Sequence, residues 1–468
     1  MDKNGTLQVK KDDCNTARLL APSNYRRRER LRPRELTVLL ICFAAACQPG
    51  TVCRGGGAGD STIDSGEEPL DVSTWNGVWG GARNPVDSLL APEIADQSIR
   101  VVVNPTLGGE RIRIRLSNTF GRYPLTIDSV HVAVSKVTEA QDGDLANFTA
   151  ELQPGTNTAL TFAGGSKVEI PPFSDSVSDS VYFPFSFGDN LAISFTVRGS
   201  ADLPTYTRCC LGAFSTPPSG GDHSVDEMGV AFSVDITSRL GGGRGCPLLN
   251  AVDVLDPDGL GTVVAIGNSI TEGTGSSEDG PFDRWPWLLA RRINAAGLPL
   301  GVLNAGISGN TVSLPPETED KGNLAFLLET GPERFDRDVL QQTNVRTAII
   351  ALGGNDLRFV EPNTDAIIAG IQNMVDRGHL GGIRVLLATI PPSTMGSEQE
   401  SHNDDRRKIN DWIRNNQDIE GWLPFDETLR DPENLDALQK QYDLDADNIH
   451  PEDAGRRALA AAIPLELL

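Results

Sequence analysis

Four short, uninterrupted apolar runs in the second half of the chain constrain its fold most strongly. They lie at residues 263–266, 302–303, 348–352 and 385–388. Runs of this kind are typical of central parallel strands, since helices cover both faces of such strands. Helical patterns lie between or after them, at residues 285–295, 364–377 and 404–415 and in a segment that follows Pro451. Because strands and helices alternate, the sequence predicts a three-layer, doubly wound α/β/α domain over residues 256–468.

The first half of the chain follows a different pattern, in which apolar residues recur at every second position. Three such sets are Ile99, Val101 and Val103; Ile112, Ile114 and Leu116; and Val130, Val132 and Val134. A period of two is typical of strands that bury one face. Glycine, asparagine, aspartate and proline separate the runs, and no convincing amphipathic helix interrupts them. The sequence therefore predicts a β-sandwich, jelly-roll-like domain over residues 74–255.

Charge and cysteine content limit the partners of the chain. The 468 residues carry a formal net charge of −23. An acidic surface repels nucleic acid and anionic lipid headgroups, so neither is an expected partner. No two of the seven cysteines form a CxxC pair, and none lies in a Cys/His cluster with zinc-ligand spacing, so no metal site is predicted. In an oxidising compartment Cys246 could form a disulfide with Cys209 or Cys210, and the sequence leaves that pairing open.

The first 46 residues are predicted to be a signal peptide. Arginine is dense at residues 26–34, and an apolar run at 36–46 follows. That run is too short to cross a bilayer about 30 Å thick as a helix, and a basic segment followed by an apolar one is typical of export signals. Cys47 follows three alanines, so two alternatives stay open: a lipoprotein anchored at Cys47, or an ordinary cleaved signal. Both predict a secreted or envelope-attached protein, with residues 47–73 as a flexible linker.

Three polar motifs each follow one of the predicted parallel strands. Residues 267–273 read GNSITEG, residues 304–310 read NAGISGN and residues 353–356 read GGND. In sheets of this type, ligands bind beyond the carboxyl ends of the strands. The convergence of three motifs at one edge of the sheet therefore predicts an active site there.

Ser269, in the first motif, has two interpretations. A serine at a strand-to-helix turn is commonly a helix cap, but the same position presents a hydroxyl where helix N–H groups favour negative charge. His450 follows Asp447 by three residues, in a loop just before the last helix. On a loop, that spacing lets Asp447 accept a hydrogen bond from Nδ1 of His450 while Nε2 faces a nucleophile, although both residues could instead cap the helix. Together, the serine turn and the Asp–His pair favour a catalytic triad.

Four separated blocks of this chain resemble the SGNH, or GDSL-type, esterase family, which is named for one serine, glycine, asparagine and histidine. The blocks occur in the family's order and contain Ser269, Gly309, Asn355 and His450. The resemblance spans about residues 261–467, and residues 284–286, 304–310 and 334–338 are also similar to the family. Bacterial secreted members with a β-rich module before the hydrolase domain are the most similar group. The resemblance implies a flavodoxin-like hydrolase domain.

The family pattern assigns a role to each of these residues. It implies Ser269 as nucleophile and His450 as general base, oriented by Asp447. It also implies an oxyanion hole made by the backbone N–H groups of Ser269 and Gly309 and the side-chain amide of Asn355, with no metal and no cofactor. This chain departs from the pattern at one point, because Asn268 stands where the family usually has aspartate. The departure concerns the hydrogen bonds of the turn rather than the triad.

The resemblance implies hydrolysis of carboxylic esters through an acyl-enzyme. The predicted export and the β-rich module favour acylated polysaccharides, such as acetyl esters, as substrates. Two alternatives stay open. One is an O-acyltransferase with the same triad, and the other is a non-catalytic, carbohydrate-binding envelope lipoprotein whose hydrolase domain has lost its activity.

Overall fold

The computed structural model describes residues 75–86, 93–137, 148–236, 245–274, 284–313, 329–359, 363–393, 402–443 and 447–468. All of them belong to a single unit of the chain. The predicted signal peptide, the linker and Cys47 lie outside the described residues and stay predictions. No helix within the described ranges is both long and apolar enough to span a membrane.

The first part of the described chain consists of strands, as the alternating apolar pattern predicts. Its named strands pair with one another in antiparallel fashion. They are β1 (Trp75–Gly80), β2 (Arg83–Pro85), β3 (Glu93–Val103), β4 (Gly109–Ser117), β5 (Leu125–Val137), β6 (Phe148–Leu152), β7 (Thr158–Ala159), β8 (Lys167–Ile170), β9 (Asp175–Val177), β10 (Val181–Phe185), β11 (Leu191–Asp202), β12 (Thr205–Arg208), β13 (Gly212–Ser215), β14 (Val234–Asp235), β15 (Gly245–Pro247) and β16 (Leu249–Leu255).

Two of these sheets share one hydrophobic core. One sheet has the order β1-β16-β4-β10, and the other has the order β14-β13-β3-β11-β5-β6. Val101 from the second sheet and Ile114 from the first are both fully buried in that core. The strand β3 differs from the prediction because it is covered on both faces. Val102, on the other face, is also fully buried, in a second cluster with Ala192 and Leu211.

The second part of the chain holds a five-stranded parallel sheet in the order β18-β17-β19-β20-β21. The mixed α/β class is therefore confirmed. The strands are β17 (Gly261–Gly267), β18 (Leu300–Gly306), β19 (Val345–Ala351), β20 (Arg384–Ala388) and β21 (Gly421–Leu423). The helices are α1 (Ser269–Glu272), α2 (Trp285–Ala295), α3 (Gly331–Phe335), α4 (Asp356–Phe359), α5 (Thr364–Leu380), α6 (Asn403–Asn415), α7 (Phe425–Leu429) and α8 (Asp453–Ala461), with a π-helical turn at Asp336–Leu340 and 3₁₀ turns at Lys440–Tyr442 and Leu465–Leu467.

The uninterrupted apolar runs arise because both faces of this sheet are buried. Val264 and Ile266 of β17 pack in a core with residues of α3, α5 and α6. Val263 and Ala265, on the other face, pack in a second core with residues of α2, α7 and α8. Since neighbouring side chains of a strand point to opposite faces, each face receives its own apolar set.

The β-rich part packs directly on the edge of the parallel sheet. The carbonyl of Gly77 in β1 lies 1.9 Å from where a Cβ atom on Gly301 of β18 would stand, so only glycine fits there. Thr106 links the same two strands, because its hydroxyl accepts from the Val302 N–H at 2.9 Å and lies 2.8 Å from the carbonyl of Val78. Contacts of this closeness fix β18, whose carboxyl end carries one of the three polar motifs.

Candidate active site

The three polar motifs lie at the carboxyl ends of β17, β18 and β19, which are neighbours in the sheet. Ser269 is the first residue of α1 and is only 7% exposed. The position places its hydroxyl at the start of a helical turn, immediately beyond the sheet.

Asn268 caps the turn that presents the serine. Its backbone is extended, and its Oδ1 accepts a hydrogen bond from the Ile270 N–H at 3.1 Å. Gly273 ends the helix with φ of 97°, a left-handed conformation that suits glycine. The side-chain oxygen of asparagine thus makes a capping bond that an aspartate at this position could equally make, and the departure from the family pattern leaves the turn intact.

The cap gives a stability prediction. Replacing Asn268 with alanine removes the acceptor for the Ile270 N–H, so we expect the free energy of unfolding to fall by about 1 kcal/mol. Asn268→Asp keeps an acceptor and should stay within a few tenths of a kcal/mol of the parent. Urea denaturation of both variants measures the difference, and an alanine variant as stable as the parent would contradict the capping role.

His450 connects Ser269 to Asp447 by hydrogen bonds. Its Nε2 lies 2.8 Å from the Ser269 Oγ, and its Nδ1 lies 2.5 Å from Oδ2 of Asp447. A carboxylate only accepts hydrogen bonds, so Nδ1 carries the proton and Nε2 of the neutral ring accepts from the serine hydroxyl. The sequence-predicted residues therefore come together across 181 positions of the chain.

The loop around Asp447 holds the carboxylate in place. Its Oδ1 accepts from the backbone N–H groups of Ile449 at 2.7 Å and His450 at 2.8 Å. Burial raises the pKa of Asp447, but these bonds and the bond from the His450 ring outweigh burial and hold that pKa below its usual value. The stabilising contribution of the ionised carboxylate is therefore complete above the ordinary aspartate pKa of about 3.9 and is lost as pH falls through the lowered value.

Asn355 and Gly309 are the residues that, with Ser269, the family pattern assigns as donors to an oxyanion. Among the residues that the structure describes, the backbone N–H groups of Ser269 and Gly309 donate to no acceptor. Gly309 has φ of 78°, which a side chain would strain. The Asn355 Nδ2 donates one hydrogen to the carbonyl of Asn310 at 2.9 Å. This bond fixes the amide and leaves its second hydrogen for a ligand.

Arg334 holds the first two polar motifs in place through hydrogen bonds, a role that the sequence did not predict. This fully buried arginine donates to the carbonyls of Gly267 at 3.0 Å and Ala305 at 2.9 Å, and to Oδ1 of Asn310 at 2.9 Å. Burial lowers the pKa of Arg334 to about 10, so the group stays charged at neutral pH. One side chain thus joins the carboxyl ends of β17 and β18. The similarity of residues 334–338 to the family was the only sequence feature that pointed to Arg334.

Asp356 anchors the chain that follows the second motif. Its carboxylate accepts from the N–H groups of Val312 at 2.9 Å and Ser313 at 2.7 Å, and from the Ser313 hydroxyl at 2.8 Å. Asp356 directly follows Asn355, so the second and third motifs are tied together next to the amide donor. The sequence pointed to Asp356 only as the last residue of the GGND motif, and the sequence analysis assigned it no role.

An open cleft lies beside Ser269. Apolar side chains form much of its wall, and Arg358 and Thr389 add polar groups. The apolar residues are Ile270, Ala351, Leu352, Ala388, Ile390, Pro391, Pro392, Phe425 and Ile449. A cleft of this kind can hold an apolar substituent next to the serine hydroxyl.

The other described histidines and cysteines do not join the triad. His131 and His379 also follow an aspartate by three residues, so that spacing alone does not distinguish His450. His131 lies in β5, and His379 lies near the end of α5 beside Glu420.

Three described cysteines of the β-rich part are buried, and no disulfide joins them. They are Cys209, Cys210 and Cys246. Burial raises the pKa of Cys209 to about 11 and also raises the pKa of Cys246. The thiols of Cys209 and Cys246 are therefore protonated at neutral pH, and the pairing considered from the sequence stays a prediction.

A serine, a histidine and an aspartate joined by hydrogen bonds at the carboxyl edge of a parallel sheet have the geometry of Ser–His–Asp hydrolases. Residues 265–458 match the model of the GDSL-like lipase/acylhydrolase family. The chain therefore contains a GDSL-like lipase/acylhydrolase domain, and the family resemblance seen in the sequence is confirmed.

Distant likenesses to solved structures accompany this match. A lipolytic protein of the G-D-S-L family from Desulfitobacterium hafniense is 22% identical, over 44% of this chain and 99% of that one, with a TM-score of 0.34. A family two carbohydrate esterase from Clostridium thermocellum is 13% identical, over 82% of this chain and 96% of that one, with a TM-score of 0.33. No curated protein matches the chain.

Proposed function

We propose that this protein is a serine esterase that hydrolyses carboxylic esters through an acyl-enzyme. The observation that carries the proposal is the hydrogen-bonded series from the Ser269 hydroxyl through His450 to Asp447. The family match of residues 265–458 to lipases and acylhydrolases supports it independently. Ser269 is the proposed nucleophile, and His450, oriented by Asp447, is the proposed general base.

In the first half of the proposed reaction, Nε2 of His450 accepts the proton of the Ser269 hydroxyl while Oγ attacks the carbonyl carbon of the ester. The carbonyl oxygen becomes an oxyanion. The proposed donors to it are the N–H groups of Ser269 and Gly309 and the Asn355 amide. Fixed donors of this kind each contribute a factor of roughly 10²–10³ in rate. Collapse of the intermediate releases the alcohol, which takes the proton from His450.

Water completes the proposed cycle. His450 accepts a proton from a water molecule, and the resulting hydroxide attacks the acyl carbon on Ser269. The second tetrahedral intermediate then releases the carboxylic acid and restores the serine hydroxyl with the proton held by His450. Every proton in this scheme moves through His450, so the scheme requires neither a metal nor a cofactor.

We propose acylated polysaccharides as the natural substrates and the cell envelope or the exterior as the location. The location rests on the predicted signal peptide over residues 1–46, with Cys47 as the site of lipidation if the protein is anchored. The substrate class rests on this predicted export together with the β-rich module. We also propose that the chain divides into two domains, over residues 74–255 and 256–468. The first domain would be a β-sandwich and the second a three-layer, flavodoxin-like domain, since two cores flank its parallel sheet.

The ester-hydrolysis proposal is tested with purified protein and two substrates, p-nitrophenyl acetate and O-acetylated xylan. Release of nitrophenol and of free acetate is measured against the Ser269→Ala protein as blank. We expect turnover of at least one substrate above that blank. A folded parent protein that releases no more product than the blank from either substrate would favour the non-catalytic, carbohydrate-binding alternative.

The transferase alternative is separated in the same assay by an acceptor. Methyl xyloside or another soluble sugar is added, and its acetylated product is measured beside free acetate. Hydrolysis predicts that free acetate accounts for most of the acetyl groups lost. A dominant acetylated sugar would identify an O-acyltransferase that uses the same triad.

A further inference from the structure

A buried ion pair joins the β-rich part to the turn that carries Ser269. Arg208 is the last residue of β12, and Glu272 is the last residue of α1, three positions after the serine. Nη1 of Arg208 contacts Oε1 of Glu272, and the two side chains are only 12% and 11% exposed. Burial lowers the pKa of Arg208, but Glu272 and Tyr206 outweigh burial and raise it above its usual value. The arginine is therefore a permanent charge at this position.

The second oxygen of Glu272 reaches the second polar motif. Oε2 accepts a hydrogen bond from the Ser308 N–H at 2.5 Å. Ser308 immediately precedes Gly309, and its hydroxyl lies 2.7 Å from that of Thr274, just beyond α1. The Glu272 carboxylate thus spans from the arginine of the β-rich part to the residue next to a proposed oxyanion donor.

We propose that Arg208 is a positioning residue for this site: it orients Glu272, which in turn holds the Ser308–Gly309 backbone in place relative to Ser269. The inference rests on the proposed esterase function. If it holds, the β-rich part contributes to catalysis, because the oxyanion hole of the hydrolase domain is complete only when β12 packs beside it.

The physical reason lies in the geometry of a carboxylate with two different partners. Without Arg208, Glu272 is a buried anion with one backbone donor, and it gains more by turning toward water than by keeping Ser308 in place. The Gly309 N–H then moves with Ser308. A misplacement of about 1 Å at a reacting centre can lower a rate by roughly 100-fold.

A second ion pair provides a matched control. Nε of Arg113 pairs with Oδ2 of Asp253 at 2.9 Å, and the Thr343 hydroxyl donates to that same oxygen at 2.8 Å. Both charged residues belong to the β-rich part, and the Thr343 bond links the pair to the hydrolase domain. Thr343, however, precedes β19 and therefore lies at the amino end of the sheet, away from the three polar motifs.

The test compares Arg208→Met with Arg113→Met, using kcat and KM for p-nitrophenyl acetate. We expect Arg208→Met to lower kcat by about 10- to 100-fold with KM within about threefold of the parent. Arg113→Met should keep kcat within about twofold. The double variant Arg208→Met/Glu272→Gln has no unpaired buried charge, so it can be assayed if the single variant fails to fold. Its kcat should also be about 10- to 100-fold below that of the parent. A kcat within about twofold of the parent in a folded Arg208 variant would overturn the proposal.

Hydrogen exchange provides a readout that needs no substrate. Exchange of the backbone in residues 305–312 should be faster in the Arg208 variant and unchanged in the Arg113 variant. A parent protein without ester hydrolysis would refute the proposed function, and the exchange measurement would then still decide the positioning role. Equal exchange in the parent and the Arg208 variant would overturn that role.

Discussion

Replacing Ser269 with alanine is expected to lower kcat for p-nitrophenyl acetate by about 10⁵- to 10⁶-fold, the largest effect that any single change should have. The variant loses the atom that forms the acyl-enzyme, and water is left as the only nucleophile. The donors at Gly309 and Asn355 remain, so a residual acceleration over the uncatalysed reaction should persist. Initial rates of nitrophenol release measure the loss.

Ser135→Ala is the matched control for this change. Ser135 lies in β5 and is 7% exposed, as Ser269 is, so both substitutions delete one hydroxyl of the same burial. The control variant should keep a kcat close to that of the parent. Equal turnover by the Ser269 variant and the parent would remove Ser269 from the mechanism.

Replacing Asp447 with asparagine is expected to lower kcat by about 10⁴-fold while leaving the fold intact. The asparagine Oδ1 can still accept from the N–H groups of Ile449 and His450, which keeps the loop in its conformation. Its amide nitrogen then faces Nδ1 of the ring and donates to it. The ring proton moves to Nε2, and the tautomer that could accept from Ser269 is lost. Steady-state kinetics and circular dichroism of the purified variant measure both expectations.

Asp443→Asn is the control in the same loop. Oδ1 of Asp443 accepts from the Asn448 N–H at 2.9 Å, and an asparagine oxygen can do the same. The carboxylate makes no bond to His450 among the described contacts, so kcat of this variant should stay within a fewfold of the parent. A comparable loss in both variants would mean that loop stability, rather than the tautomer of His450, limits the reaction.

Much of the fold followed from the apolar patterns. Uninterrupted runs predicted four strands of the parallel sheet, and helices α2, α5 and α6 begin within one residue of their predicted starts. The strand β21 was not predicted, because three residues that begin with Gly421 are too short to show a period. Val102 is buried although alternation placed it on the open face, because it packs in a second cluster with Leu152 and Leu211.

The proposed triad was predictable from the sequence because each member lies in a motif with a local pattern. Arg334 and Arg208 show the limit of that reasoning. Arg334 reaches the carbonyl of Gly267 from 67 positions away, and Arg208 pairs with Glu272 from 64 positions away. Such partners are set by how the sheets and helices pack, and no periodicity in a single sequence encodes them.

Covalent labelling tests the central claim most directly. The parent protein is treated with a fluorophosphonate, which phosphonylates an activated serine, and the modified residue is identified by peptide mass spectrometry. We predict one adduct per chain, on Ser269, with its formation abolished in the Ser269→Ala protein and slowed in the Asp447→Asn protein. An adduct on another serine such as Ser308 or Ser393, or no adduct on a folded protein that hydrolyses esters, would contradict the assignment of Ser269 as the nucleophile.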